Sequence, residues 1–136
     1  MATTLKLEIV TPEAVAFSDE VDIVTLPGVE GEMGIYPMHT PLMTQIVPGE
    51  MMVRKGTQEF FLAVGDGFAE VTGDHVSILT DMAILADNID AAKAEEARRR
   101  AEARLNEKIS AEEVATVNGA LAHALAQLQV KRRHRH

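Results

Sequence analysis

The chain has no cysteine. That removes disulfides, thiolate nucleophiles and thiolate metal sites together, and it fits a reducing compartment. No apolar run approaches the roughly 18 residues that a membrane-spanning helix needs, and the N-terminus lacks a secretory signal pattern. A soluble, intracellular chain is expected. No two histidines stand four apart on a helical pattern: His39, His75, His123, His134 and His136 are scattered, and the terminal His-Arg-His is a poor scaffold for a metal. Proline is absent between residues 87 and 130, whereas four of the five prolines lie from Pro27 to Pro48. Each of these gaps narrows the chemistry, and the last divides the chain.

With 136 residues, the chain is one domain, or one domain with an appendage. Its net charge of -8 is unevenly spread: residues 1–86 hold 13 acidic and 3 basic side chains, residues 87–136 hold 8 and 10. The acidic body offers no groove for a nucleic acid backbone. The basic end, "KRRHRH", is read as a contact for an acidic protein partner or as a solvated terminus.

The first part reads as short strands. "LKLEIV", "VDIV" and "HVSIL" alternate apolar and polar residues with the period of a half-buried strand, and "EFFLAV" suits a more deeply buried one. Turn chemistry separates them at Pro12, Pro27-Gly28, Pro48-Gly49, Lys55-Gly56, Gly65-Asp66-Gly67 and Gly73-Asp74. Many short strands with no helix between them predict a sandwich or flattened barrel. The proline-rich region is expected to form loops and edge strands.

From Asp87 the apolar period becomes helical and alanine abundant. Ala97, Ala101 and Leu105 form a ladder with Ile89 and Ala94 near its start, and Glu95–Arg99 and Glu96–Arg100 are favourably ordered pairs. Arg98, Arg99, Arg100 and Arg104 therefore read mainly as a solvated face. Asp87 or Asn88 is expected to cap this helix, with Asp90 in its first turn. Ser110 and Glu113 form a capping box before a second helix, whose apolar face is expected to be Val114, Val117, Leu121, Leu125 and Leu128. The fold class expected is segregated α+β: an N-terminal β-sandwich, residues 1–86, followed by a C-terminal antiparallel two-helix hairpin, residues 87–136. Alanine buries little apolar area, and Gly119 interrupts the second helix. The hairpin is thus expected to dock marginally and to open.

The least ordinary stretch is "LPGVEGEMGIYPMHTPL", residues 26–42. Its glycines, Gly28, Gly31 and Gly34, have the wrong spacing for a dinucleotide loop, no Gly-Lys-Ser/Thr follows, and Glu30 and Glu32 would repel a phosphate. His39 could serve as a general base, but no nucleophile stands at a recognisable spacing from it. The methionines Met33, Met38, Met43, Met51 and Met52 suit core filling, although Met33 and Met38 fall in this stretch.

Residue after residue, G-x-E-G-E-M-G-I-Y-P-x-H-x-P-L resembles the signature of the epsilon subunit of rotary ATP synthases. The early "VTPE", the "PGE" of Pro48–Glu50, "GDGFAEV" and "ALAQLQV" are similar as well, so the resemblance runs the length of the chain. It implies a non-catalytic rotor subunit in the central stalk of a proton-translocating F-type synthase. Such a subunit is peripheral, on the cytoplasmic face of a bacterial inner membrane rather than a plastid thylakoid. Its partners would be the gamma subunit, the c-ring, and the beta and alpha subunits, with no nucleic acid and no homo-oligomer. On this resemblance Gly31, Glu32 and Met33 face the c-ring, and His39, Pro41 and Leu42 face gamma. The hairpin would lie folded on the sandwich or extend into the catalytic head, where it limits ATP hydrolysis. When extended, Lys131, Arg132, Arg133 and Arg135 would meet the beta subunits.

No cofactor is required. Some relatives bind regulatory ATP, with magnesium, through an I/L-D-x-x-R-A motif. The matching residues here are Ile89, Asp90, Lys93 and Ala94, with Arg100 further along. Lysine replaces the arginine of the motif and loses its planar fork. His123 and Gln127 stand where binding relatives have arginines, so any ATP site is expected to be weak. Two other readings compete: a free-standing β-sandwich adaptor that binds a partner through its hairpin, and an enzyme resting on His39 alone.

Overall fold

The computed structural model describes residues 4–134. Ten strands come first: β1 (Leu5–Val10), β2 (Val15–Val21), β3 (Ile23–Gly28), β4 (Gly31–Ile35), β5 (His39–Ile46), β6 (Gly49–Lys55), β7 (Gln58–Val64), β8 (Gly67–Gly73), β9 (His75–Thr80) and β10 (Ala83–Leu85). A short 3-10 turn, Ala86–Asn88, leads to α1 (Ala91–Leu105) and α2 (Ala111–Arg133). The strands hydrogen-bond in the order β10-β7-β6-β3-β5-β8-β9-β1-β2, with β4 paired to β3 outside that path. Neighbours are antiparallel except β1 and β9, which run parallel from Lys6 opposite His75 to Val10 opposite Leu79.

The sheet folds over itself into a nearly closed sandwich. Alternation along each strand sends Leu5, Leu7 and Ile9 of β1, Val24 and Leu26 of β3, Met51 and Val53 of β6 and Val76 and Ile78 of β9 into one core, all fully buried. The far end is tied by polar contacts. The Asp22 N–H donates to the Arg54 carbonyl at 2.7 Å, the Gly56 N–H donates to the Asp22 carboxylate at 2.7 Å, and Lys55 Nζ lies 2.6 Å from Asp19. The Lys55 ammonium holds the Asp19 carboxyl below its ordinary range, mainly through that hydrogen bond.

Two local expectations fail here. "VDIV" is not one strand, because Asp22 is the bend where β2 hands over to β3, and its carboxylate serves the corner. Pro27-Gly28 is not a turn but the end of β3, opposite Glu32 and Gly31 of β4. The ladder between β3 and β6 stops at Thr25. The proline nitrogen therefore faces a side where no strand needs its missing donor.

α2 lies against β6 and β7, and α1 packs on the other side of α2. Asp90, rather than Asp87 or Asn88, caps α1, accepting the Lys93 N–H at 3.1 Å. Buried Ile89 pulls the chain onto the sandwich first, and Asp87 and Asn88 are used up in the 3-10 turn. Ser110 caps α2 as expected, accepting the Glu113 N–H at 3.1 Å. Glu113 does not close the box; its carboxylate takes Arg104 Nε at 2.6 Å and ties α1 to α2 across the turn. Along α1, Arg98 bridges Glu95 and Glu102, while Arg100 pairs with Glu96 at 2.9 Å. The arginine run is a neutralised outer face, and Arg98 holds the Glu95 carboxyl below its ordinary range. Among the described residues, no helix is long and apolar enough to cross a membrane.

Candidate functional site

The glycine-rich stretch is a hairpin and a turn rather than a loop. β3 and β4 pair from Val24 opposite Ile35 to Gly28 opposite Gly31, with Val29 and Glu30 at the tip. Gly31 has φ 124°, backbone that a side chain rarely adopts, so glycine is required where the chain re-enters β4. Ile35 is fully buried and Met33 packs against the core, which anchors β4 from below. Glu32 is exposed, opposite Pro27, and shares a shallow groove with Val29, Glu30, Gly31 and Met43. A carboxylate is thus held out from the sandwich on a short, core-anchored ladder.

The turn to β5 carries a strained residue. Met38 has φ 65°, in the left-handed region that disfavours any side chain, and it is largely exposed. His39 follows, half-buried, with Nδ1 2.7 Å from the carbonyl of Thr40. Among the described residues this backbone contact is its one side-chain hydrogen bond. Pro41 is exposed at an irregularity in the β5–β8 ladder. Leu42 turns inward against the core, unlike its two neighbours in that set.

A larger surface escaped the sequence reading. On the outer face of β5, β8 and β9, Met43 lies opposite Glu70, and Gln45, Phe68 and Leu79 form one cross-strand row. Met43, Phe68 and Leu79 are each more than half exposed. The signal was present as apolar residues on the polar phase of their strands, but register was needed to bring them together.

The second site is the seat of α2. His123, Ala126, Gln127, Val130 and His134 form one helical stripe, and it faces the sandwich. Ala126 and Val130 are buried with Ala63, Met82, Ala86 and Ile89. His123 Nε2 lies 3.0 Å from Asp81, the Gln127 amide meets Met82 Sδ at 3.2 Å, and Lys131 Nζ donates to the Ala86 carbonyl at 3.2 Å. Gly65 makes room for the first of these: a Cβ there would sit 1.9 Å from the Asp81 carboxylate and 2.8 Å from His123 Nε2. The expected apolar face was therefore wrong in part. Leu125 is 47% exposed, because α2 is held between α1 and the sheet and its sheet-facing stripe is mostly polar or small.

This two-part chain matches two family models end to end. Residues 4–86 match the ATP synthase, Delta/Epsilon chain, beta-sandwich domain, and residues 87–132 match the long alpha-helix domain of the same chain. The chain belongs to the ATP synthase epsilon chain family. An ATP synthase epsilon chain of Dehalococcoides mccartyi is 46% identical over 132 residues, covering 96% of this chain and 94% of that one. Another, from Desulforamulus reducens, is 44% identical over 129 residues, covering 95% and 98%. A chain in the Euglena gracilis mitochondrial ATP synthase OSCP/F1/c-ring structure shares the fold at TM-score 0.75 and 24% identity, over 98% of this chain and 84% of that one.

The residues matched to the ATP motif lie around the start of α1 and along it. Asp90 spends its carboxylate on the α1 cap, Ile89 and Ala94 are buried, and Arg100 pairs with Glu96. Lys93 is exposed beside its cap. His123 and Gln127 turn away to Asp81 and Met82. Among the described residues, no cluster of three or more acidic or histidine side chains could hold a metal ion. In the basic end, Arg133 and His134 reach Glu50 at 3.0 and 2.6 Å. Arg132 lines a groove with Glu95 and Arg98, and Arg135 lies outside the described residues.

Proposed function

We propose that this chain is a non-catalytic rotor subunit of a proton-translocating F-type ATP synthase, linking the catalytic head to the membrane ring and restraining ATP hydrolysis through its helical hairpin. The observation that carries this reading is the division of labour within one family-matched chain: a rigid sandwich presenting a fixed carboxylate, and a helical pair seated on it through small side chains. Glu32, with Gly31 and Met33, is the contact for the polar loops of the c-ring. Its short ladder needs little ordering on docking, and an acidic tip selects basic loops. His39, Pro41 and the outer patch of Met43, Phe68 and Leu79 form the face for the gamma subunit; Leu42 supports it from inside.

The folded hairpin is one of two arrangements. In the other, α2 extends and its basic end, Lys131, Arg132, Arg133 and Arg135, meets acidic loops of the beta and alpha subunits. The chain acts at the membrane surface as part of the complex. A weak regulatory ATP contact at Ile89, Asp90, Lys93, Ala94 and Arg100 would require Asp90 and Arg100 to leave their present partners, so low affinity is expected.

Reconstitution into a synthase stripped of its epsilon chain tests the whole reading. The full chain is expected to restore coupled ATP synthesis and lower uncoupled hydrolysis. Residues 1–86 alone are expected to restore coupling without the inhibition. Failure of the full chain to assemble with the head and ring would refute the assignment. Unchanged inhibition and salt dependence after deletion of residues 131–136 would remove the basic end from the mechanism. Sub-micromolar binding of ATP to the isolated chain would overturn the weak-site reading.

A further inference from the structure

Glu50 is out of place on its face of the sheet. It lies on β6 opposite Ala63 of β7, and its row continues with Met52 opposite Phe61. This is the face that α2 covers, and Ala63, Phe61 and Ile84 belong to the apolar contact there. The Glu50 side chain is only 15% exposed. A carboxylate so far out of water is unfavourable unless cations and hydrogen bonds answer it.

The C-terminal tip of α2 supplies both. Arg133 Nη1 lies 3.0 Å from one Glu50 oxygen and His134 Nε2 lies 2.6 Å from the other. The His134 ring also stacks on Phe61, with centroids 3.6 Å apart and planes 16° from parallel. One turn earlier, Val130 is fully buried. Two other charges near this corner have partners of their own. Glu59 and Asp87 line the same shallow pocket as Phe61 and His134; Glu59 pairs with Arg54 at 3.0 Å, and Lys131 donates to the Ala86 carbonyl.

We propose that Glu50 is the receptor of a latch: it clasps the tip of α2 through Arg133 and His134, holds the hairpin on the sandwich, and keeps the Arg133 guanidinium from acidic partners. The latch rests on the mobile-hairpin reading for its use, though not for its geometry. Arg133 cannot serve Glu50 and a distant acidic surface at once. Whatever captures the tip must therefore first outcompete Glu50, and the closed state depends on this carboxylate as well as on the helix interface.

Amide hydrogen exchange on the full chain tests this. In Glu50→Gln, amides of residues 124–133 are expected to exchange about tenfold faster or more, the scale set by losing a charge-assisted hydrogen bond, while those of β1 and β9 keep their rates. Glu50→Arg is expected to open the tip further, and adding Arg133→Glu to it should restore much of the protection. A poly-glutamate peptide should bind Glu50→Gln several-fold tighter than the wild type. Unchanged α2 exchange in both single variants, with α2 still faster than the sheet, overturns the latch and spares the mobile hairpin. Exchange of α2 and sheet at one common rate in every variant overturns both. Equal peptide binding overturns the masking of Arg133.

Discussion

The sandwich and the helical hairpin are built from different materials. In the sandwich, Leu5, Leu7, Ile9, Leu26, Ile46 and Ile78 are fully buried. In the helices, the buried side chains are Ala94, Ala101, Ala124, Ala126 and Val130. Burial stabilises roughly in proportion to apolar area, near 25 cal/mol per Å², so alanine gives the hairpin a fraction of what leucine and isoleucine give the sheet. What seats the hairpin instead is a set of polar pins on one stripe of α2: His123 on Asp81, Lys131 on a carbonyl, and Arg133 and His134 on Glu50. Polar pins specify a position without holding it deeply.

Four changes would break or sharpen that contrast. The largest effect is expected from Ile78→Ala in the sandwich core, a loss of about 2–5 kcal/mol in global stability, read by denaturant unfolding. A much smaller loss would mean that the core collapses around the gap. Within the helices, Ser110→Ala removes the α2 cap and should cost about 1 kcal/mol, seen as faster exchange in the first turn of α2 with the sheet unaffected. Gly119→Ala should do the reverse, since nothing lies within 4 Å of a Cβ there and alanine gains about 1 kcal/mol in a helix interior. A tighter α2 with an unchanged sheet would establish the two levels of stability.

The smallest effect concerns Asp19. Its carboxyl is held down by Lys55, so the pair's contribution is present above the unfolded carboxylate range and fades as pH falls through the depressed folded value. Lys55→Met should return the Asp19 titration toward ordinary values by NMR, with little change in overall stability because the pair is exposed.

The parts of the fold that were legible in advance depended on local pattern. Alternation placed β1 and β9, the apolar run "EFFLAV" placed β7, and the Ser110 signal placed the start of α2. The misplaced parts were decided by neighbours in space. Asp22 reads as a strand residue until Arg54 and Gly56 claim it at a corner. Asp87 and Asn88 read as helix caps until Ile89 is drawn into the sandwich. The seat of α2 was illegible because His123, Gln127 and His134 look like surface residues until Asp81, Met82 and Glu50 are opposite them. In the glycine-rich stretch, the carboxylate and glycines were visible as special, but the nearby patch of Met43, Phe68 and Leu79 required three strands in register.

The parallel pairing of β1 with β9 has a consequence in time. One edge of the first strand finds β2 at once, but the other must wait until residues through Thr80 are present. Non-local closure of this kind is slow, whereas contacts between adjacent helices are local and form quickly. The helical pair, whose contacts are local, is therefore among the fastest elements to form. During synthesis the helices emerge only after the last sheet strand, so the surface that receives α2 has begun to assemble before its tip arrives.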